Sequence, residues 1–206
     1  MKYGFEGDPA VGSALVDMYS KVPLMLFEAW EVFVHMQTRP VIAWTSLIGA
    51  YAEHGLNESA LELFKRMQED CLPLNKAIFS CILRVCGCTG AVDGGRLVHD
   101  LIIKASIEED VAMGSNVIDM YAKCGKLYEA HQLIKNNLSN SNVVSWGALI
   151  GGFVQHGDFI SVMQCLQDME HCGVPPNETI FLNIIAACSH TALMEDGLRF
   201  FKSMAK

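Results

Sequence analysis

The chain has 206 residues, 51% of them apolar, with fifteen Lys and Arg against twenty-three Asp and Glu, a net charge of −8. That balance lacks the basic footprint usual in proteins that hold nucleic-acid phosphates. The longest stretch without a charged side chain, 136–157, opens on a run of Asn and Ser. Only 143–154 of it is strongly apolar, too short for a membrane span.

Residues 1–8 are neither an apolar signal core nor an Arg- and Ser-rich transit sequence, and read as the tail of a preceding repeat. The eight cysteines include no C-x-x-C pair and read as reduced, intracellular thiols. From Pro9 onward the chain repeats itself at an offset of 102 residues. Asp17-Met18-Tyr19 recurs as Asp119-Met120-Tyr121. Trp44, Leu47, Ile48 and Gly49 recur as Trp146, Leu149, Ile150 and Gly151, and Ile78-Phe79 recurs as Ile180-Phe181.

Within that unit an i, i+3, i+4, i+7 apolar stripe predicts a helix six times. The stripes are Gly12/Leu15/Val16/Tyr19, Trp44/Leu47/Ile48/Tyr51 and Phe79/Ile82/Leu83/Cys86, then Gly114/Val117/Ile118/Tyr121, Trp146/Leu149/Ile150/Phe153 and Phe181/Ile184/Ile185/Cys188. A second stripe follows, as in Ala29/Val32/Phe33/Met36, Ala60/Leu63/Phe64/Met67 and Val162/Cys165/Leu166/Met169. Gly55, Gly90, Gly125 and Gly157 lie between paired stripes, where a helix needs a left-handed C-terminal cap. The expected units are 9–40, 41–75, 76–110, 111–142, 143–177 and a truncated 178–206, each helix A, tight turn, helix B and loop. One such hairpin cannot bury both its faces, but a stack of them shares a core.

The period and residues closely resemble the pentatricopeptide repeat, an all-α family. Val41-Ile42-Ala43-Trp44-Thr45-Ser46-Leu47-Ile48 through Ala60-Leu61-Glu62-Leu63-Phe64-Lys65-Arg66-Met67 carries the consensus, and Val143-Val144-Ser145-Trp146 opens a second such unit. Asp119-Met120-Tyr121-Ala122-Lys123-Cys124-Gly125 looks like the short repeat variant, Ala186-Ala187-Cys188-Ser189-His190 the long one, and the order short–P–long matches the plant PLS subclass. The resemblance implies a right-handed superhelical solenoid that binds single-stranded RNA in mitochondria or chloroplasts, about one base per repeat. PLS members commonly specify C-to-U editing sites, often through a zinc deaminase domain. None of the seven histidines here is followed by Glu two residues on, as that domain requires. The expectation is therefore RNA binding without catalysis, metal or cofactor, acting beside a separate deaminase or other editing factors.

With Val41 as position one, positions four, seven, eight and eleven form the core stripe, so Trp44 and Trp146 are expected in the core and not against bases. Positions two, five, nine and twelve form another face. The family resemblance puts a base reader at five, its partner at the last residue of the unit and an aliphatic wedge at two. The pairs are then Thr45 with Asn75 and Ser115 with Asn142, similar to the adenine-preferring combination, and Ser80 with Asp110, similar to the guanine-preferring one. Asn177 faces Gly147, Ser13 faces Pro40 and Leu182 offers no polar group. Ile42 and Val144 take the wedge position. Lys21 and Lys123 take the phosphate position, where Glu53 would repel. The rival reading is a protein-interaction scaffold or a degenerate fragment, with Phe200, Phe201 and Met204 on an uncapped last helix.

Overall fold

A computed structural model describes residues 8–107, 110–136 and 141–190, with side chains as far as 185. The tail 1–7, the expected second helix of 178–206 and the side chains of 186–190 lie outside the described residues. Eleven α-helices occur among the described residues, and no strand. They are α1 (Pro9–Ser20), α2 (Leu26–His35), α3 (Val41–Glu53), α4 (Asn57–Glu69), α5 (Lys76–Thr89), α6 (Val92–Lys104), α7 (Val111–Lys123), α8 (Leu127–Asn136), α9 (Val143–Gln155), α10 (Phe159–His171) and α11 (Glu178–His190), with a 3-10 turn at Pro23–Met25.

The chain falls into two compact units, Met1–Val85 and Cys86–Lys206. In the first, α1 packs on α2 and α3, and α3 on α4. In the second, α7 packs on α6, α8 and α9, and α9 on α8, α10 and α11. Each therefore contains helical hairpins in which one odd-numbered (A) helix lies against the next, α1 on α3 and α7 on α9 on α11, with an even-numbered (B) helix backing α1, α3, α7 and α9. The all-α helical-repeat expectation holds in both units.

The A helices are short because their last turns close on a left-handed residue. Gly55 has φ +75°, and Leu56 N–H returns to the Tyr51 carbonyl at 2.8 Å, a Schellman cap. Lys126 to Tyr121 (2.8 Å) and Asp158 to Phe153 (3.0 Å) repeat the closure around Gly125 and Gly157. The B helices end the same way around Gly173 and, less usually, Cys71 and Ser106 at φ +52° and +54°. The first hairpin has no such glycine: Val22-Pro23 starts the 3-10 turn instead.

The predicted stripes are the core. Trp44, Leu47 and Ile48 are buried, as are Ala60, Leu63, Phe64 and Met67 facing them from α4. Burial of each large side chain contributes about 1.5–3 kcal/mol. Phe33 meets the Trp44 ring edge-on at 4.7 Å, closing the first hairpin over the second. Gly12 occupies position four, where Trp44, Phe79, Trp146 and Phe181 stand in other units and Gly114 in the unit 111–142. A Cβ there would stand 2.8 Å from Met36 Cε, so Met36, just past the end of α2, fills the ring's place.

Candidate nucleic-acid interface

In five of the six described A helices the preceding residue is built to cap the helix. Its extended backbone leaves the first-turn amides without partners, and a short polar side chain reaches back to them. Asp8 accepts from Ala10 N–H at 2.8 Å, Asn75 from Ile78 at 2.9 Å, Asp110 from Met113 at 3.0 Å and Asn177 from Ile180 at 3.0 Å. Asn142 accepts from both Val144 and Ser145, at 2.9 and 3.0 Å. Pro40 has no side-chain cap and offers only its carbonyl, to Ala43 and Trp44. The last residue of a repeat therefore has a structural role of its own. That role also fixes its orientation, because an Asn must turn Oδ1 toward the helix and Nδ2 away from it.

Asn75 Nδ2 then donates to Thr45 Oγ1 at 3.3 Å, while the Thr45 hydroxyl donates to the Val41 carbonyl one turn back at 2.7 Å. Thr45 has spent its only proton. What the pair keeps is an acceptor lone pair on Oγ1 and the second N–H of Asn75, side by side, with Thr45 half-buried and Asn75 exposed. An acceptor beside a donor complements a base edge that shows an amine next to a ring nitrogen.

Ser115 and Asn142 are brought together differently. Ser115 is 5% exposed, and its hydroxyl lies 2.8 Å from the Val111 carbonyl, 2.9 Å from Ser145 Oγ and 3.4 Å from Asn142 Oδ1. Ser145, itself 2% exposed, stands three residues after its cap where Ile78 stands after Asn75. The added hydroxyl draws the Asn142 oxygen toward the serines, so this pair closes on itself. Ser145 was missed in the sequence reading; the one signal for it is a hydroxyl at a position otherwise held by Ala43 and Ile78. Ser80 lies half-buried on α5 in the first unit, and Asp110 caps α7 in the second. Asn177 is exposed, and nearest the Cβ site of Gly147 is Ile180 Cγ1 at 3.7 Å.

The wedge residues are open to solvent: Ile42 is 67% exposed and Val144 61%. In the first unit Ile42 forms one wall of a shallow hollow of about 580 Å³ that Ala10, Ser13, Asp17 and Pro40 also line. Positions two, five and nine of one repeat, its last residue and position two of the next thus border one slot. Ser13 gives its proton to the Pro9 carbonyl at 2.6 Å, and Pro40 has no amide side chain, so the slot has apolar walls and little polar readout.

Lys21 and Lys123 are both held back on their own helix. Lys21 Nζ lies 2.6 Å from Asp17, and Lys123 Nζ 2.7 Å from Asp119. The Lys21 hydrogen bond holds the Asp17 carboxyl below its ordinary range, helped by Ser46, whose hydroxyl donates to it at 3.2 Å. Each cation therefore meets solvent already half-neutralised. Trp44 and Trp146 are 3% and 1% exposed, core residues unable to stack on a base. Cys86 is buried with its thiol pushed up to about 11 by desolvation, and the nearby Cys124 adds to the shift. Among the described residues no group of His, Cys, Asp and Glu is placed to hold a metal.

Residues 42–72, 115–136 and 144–174 match the PPR repeat family model. The chain is 35% identical over 194 residues, 94% of its length, to the pentatricopeptide repeat-containing protein At4g38010 of Arabidopsis thaliana, and spans 34% of that protein. It is 34% identical over all 206 residues to the mitochondrial pentatricopeptide repeat-containing protein At2g03880 of the same plant, spanning 32% of it. The chain thus spans about a third of the length of these curated relatives. In fold it is similar to the pentatricopeptide repeat protein PPR10 in complex with an 18-nt psaJ RNA element, with a TM-score of 0.79 at 20% identity, covering 97% of this chain and 29% of that one. It is also similar to the nuclear proteinaceous RNase P 2 of A. thaliana, with a TM-score of 0.62 at 15% identity, covering 81% of this chain and 38% of that one. Helical hairpins closed by left-handed caps, capping residues that meet position five of the preceding A helix, and these matches give one conclusion: the chain is built of pentatricopeptide repeats and belongs to that family.

Proposed function

We propose that the chain binds single-stranded RNA with base selectivity and has no catalytic activity of its own. It would serve organellar RNA processing or editing, in mitochondria or chloroplasts, alongside a separate deaminase or other editing factor. The Thr45–Asn75 pair carries the reading: an outward acceptor and donor, fixed by a helix cap on one side and a spent hydroxyl proton on the other. Adenine presents the matching amine and ring nitrogen, as cytosine does, and the family pattern of Thr with Asn assigns this repeat to adenine. Ser80 with Asp110 prefers guanine by the same family pattern, and Ser115 with Asn142 is the weaker adenine reader because its hydroxyl is enclosed. Ile42 and Val144 pack against base faces, and Asn177, facing Gly147, contributes little. The repeats alternate short, P and long types, as in the PLS subclass. The RNA-bound state of PPR10 and the mitochondrial naming of some relatives support the assignment.

With about three competent repeats at about 1–3 kcal/mol each, less the cost of ordering the strand, binding falls in the millimolar to micromolar range. The test is fluorescence anisotropy at low salt with short oligonucleotides carrying an A-G-A core and with scrambled controls. Thr45→Val keeps the side chain's shape and removes the hydroxyl. The preference for adenine at that repeat should drop about tenfold, with binding to other bases little changed. Equal binding of all oligonucleotides by the wild-type chain would sink the proposal. It would favour a protein-interaction scaffold, which the charge of −8, Glu53 and the enclosed Ser115 otherwise favour.

A further inference from the structure

The first unit has a hollow of about 450 Å³ away from positions two and five, between the B helices α2 and α4 and the end of α3. Trp30 and Tyr51 line it, both half-buried, and so do Glu58, Glu62 and Arg66. The last three recur every four residues, so α4 turns one stripe of charge toward the two rings. Glu62 is paired with Arg66 at 3.1 Å, the two side chains being 57% and 51% exposed. Glu58 precedes Glu62 by one turn, a like-charge spacing that opposes the helix.

The internal repeat gives a control for what the fold itself needs. The helices α2 and α8 match at an offset of 101 residues, where Trp30 becomes His131. At the offset of 102 Glu58 becomes Ile160, Glu62 becomes Gln164 and Arg66 becomes Asp168, while Tyr51 becomes Phe153. The second copy forms α8, α9 and α10 without the indole or the two carboxylates. Trp30 also stacks on Phe33, ring centroids 6.0 Å apart, but the second copy, with Ile134 in the place of Phe33, forms its hairpins without that ring pair, and no hairpin needs the two carboxylates.

With Glu62 already holding Arg66, the hollow keeps one net negative charge, Glu58, beside two rings open to solvent, and that combination fits an organic cation. An aromatic face attracts the charge while its apolar edge takes the carbons of the side chain. A guanidinium fits this hollow better than an ammonium, because it can lie flat on a ring and still present paired N–H donors to a carboxylate. An RNA strand does not fit, since its phosphates would meet Glu58 and Glu62. We infer that the hollow between α2 and α4 is a docking site for an arginine side chain of a protein partner, separate from the RNA face.

The experiment measures the anisotropy of a fluorescein-labelled hexapeptide of alternating glycine and arginine, and of the same peptide with citrulline for arginine. Citrulline keeps the shape and removes the charge. The arginine peptide should bind at least tenfold more tightly. Trp30→Gln, and separately Glu58→Gln with Glu62→Gln, should each reduce that binding at least tenfold with the melting curve retained. Glu69→Gln with Asp70→Asn removes the same charge further along α4 and should leave it unchanged. Trp44 and Trp146 are buried, so acrylamide quenching reports on Trp30, and the arginine peptide should protect it. Equal binding of the two peptides, equal loss from the Glu69/Asp70 variant, or protection of Trp30 by a short RNA and not by the peptide would overturn the assignment.

Discussion

Asp119→Asn should strengthen RNA binding while slightly weakening the fold. Asp119 holds Lys123 Nζ at 2.7 Å on the surface of α7, the two side chains being 36% and 42% exposed. Such an exposed i, i+4 pair contributes about 0.3–0.5 kcal/mol to stability, so its loss should lower the melting temperature by no more than a degree or two. A phosphate on the far side of Nζ would lie about 5 Å from the Asp119 carboxylate. Repulsion at that distance is about 0.8 kcal/mol in bulk water and about 3 kcal/mol at the effective dielectric of a protein surface. Removing it should tighten binding by between about fourfold and about 150-fold at low salt. The gain should shrink toward physiological ionic strength, where the screening length is about 8 Å. Anisotropy titrations at several salt concentrations measure it, with Asp93→Asn on the outer helix α6 as the control for net charge. If Asp119→Asn binds no better than Asp93→Asn, Lys123 does not touch phosphate.

Ser145→Ala should relieve the enclosure of Ser115 and increase adenine selectivity at that repeat two- to fivefold, for about 1 kcal/mol of stability lost with a buried hydrogen bond; oligonucleotide titration and urea melts read the two effects. Gly12→Leu would drive a side chain into Met36 and should cost about 1–3 kcal/mol in urea unfolding, whereas Gly49→Leu, where a Cβ meets nothing within 4 Å, should cost less than half as much. Burial raises the Cys86 and Cys165 thiols to about 11 and about 12. The unfolded chain therefore loses these protons first, and stability should fall as pH rises from about 9 toward 11, by about 1 kcal/mol per pH unit per thiol. Alkaline urea melts of Cys86→Ala and Cys165→Ala against wild type check this, since each variant should show a shallower decline.

The fold was legible because its information is periodic. Trp44, Leu47 and Ile48 recur with a helical spacing and again 102 residues later, and a periodic apolar stripe has one physical use. The glycine caps followed from the same logic, since Gly55 or Gly125 between two stripes marks the only place for a left-handed residue. The site was less legible because it depends on where single protons go. Thr45/Asn75 and Ser115/Asn142 read as equivalent pairs in one dimension. They part only in space, where Ser145 reaches Ser115 at 2.9 Å and Ile78 offers Thr45 nothing. Lys21 and Lys123 likewise read as free cations, although Asp17 and Asp119 sit four residues before them on the same face. The i, i+4 rule could have found those pairs. Cys71 and Ser106 as left-handed caps had no signal, because neither residue type favours that conformation.

These pairings also bear on how an acidic chain could select RNA at all. A binder rich in free lysine gains most of its affinity from phosphates, which are the same in every sequence, and its selectivity is diluted accordingly. Here the two cations at the phosphate position are each tied to a carboxylate, while the Thr45–Asn75 pair faces outward with its donor and acceptor set. Under the proposed function, affinity would thereby shift from backbone to base. On single strands each phosphate contact contributes about −0.7 to the slope of log affinity against log salt. Two half-neutralised lysines should therefore give a slope shallower than about −1.4, with discrimination between A-G-A and scrambled strands nearly constant across it. A steep slope with discrimination that collapses as salt rises would mean that the strand is held by charges other than Lys21 and Lys123.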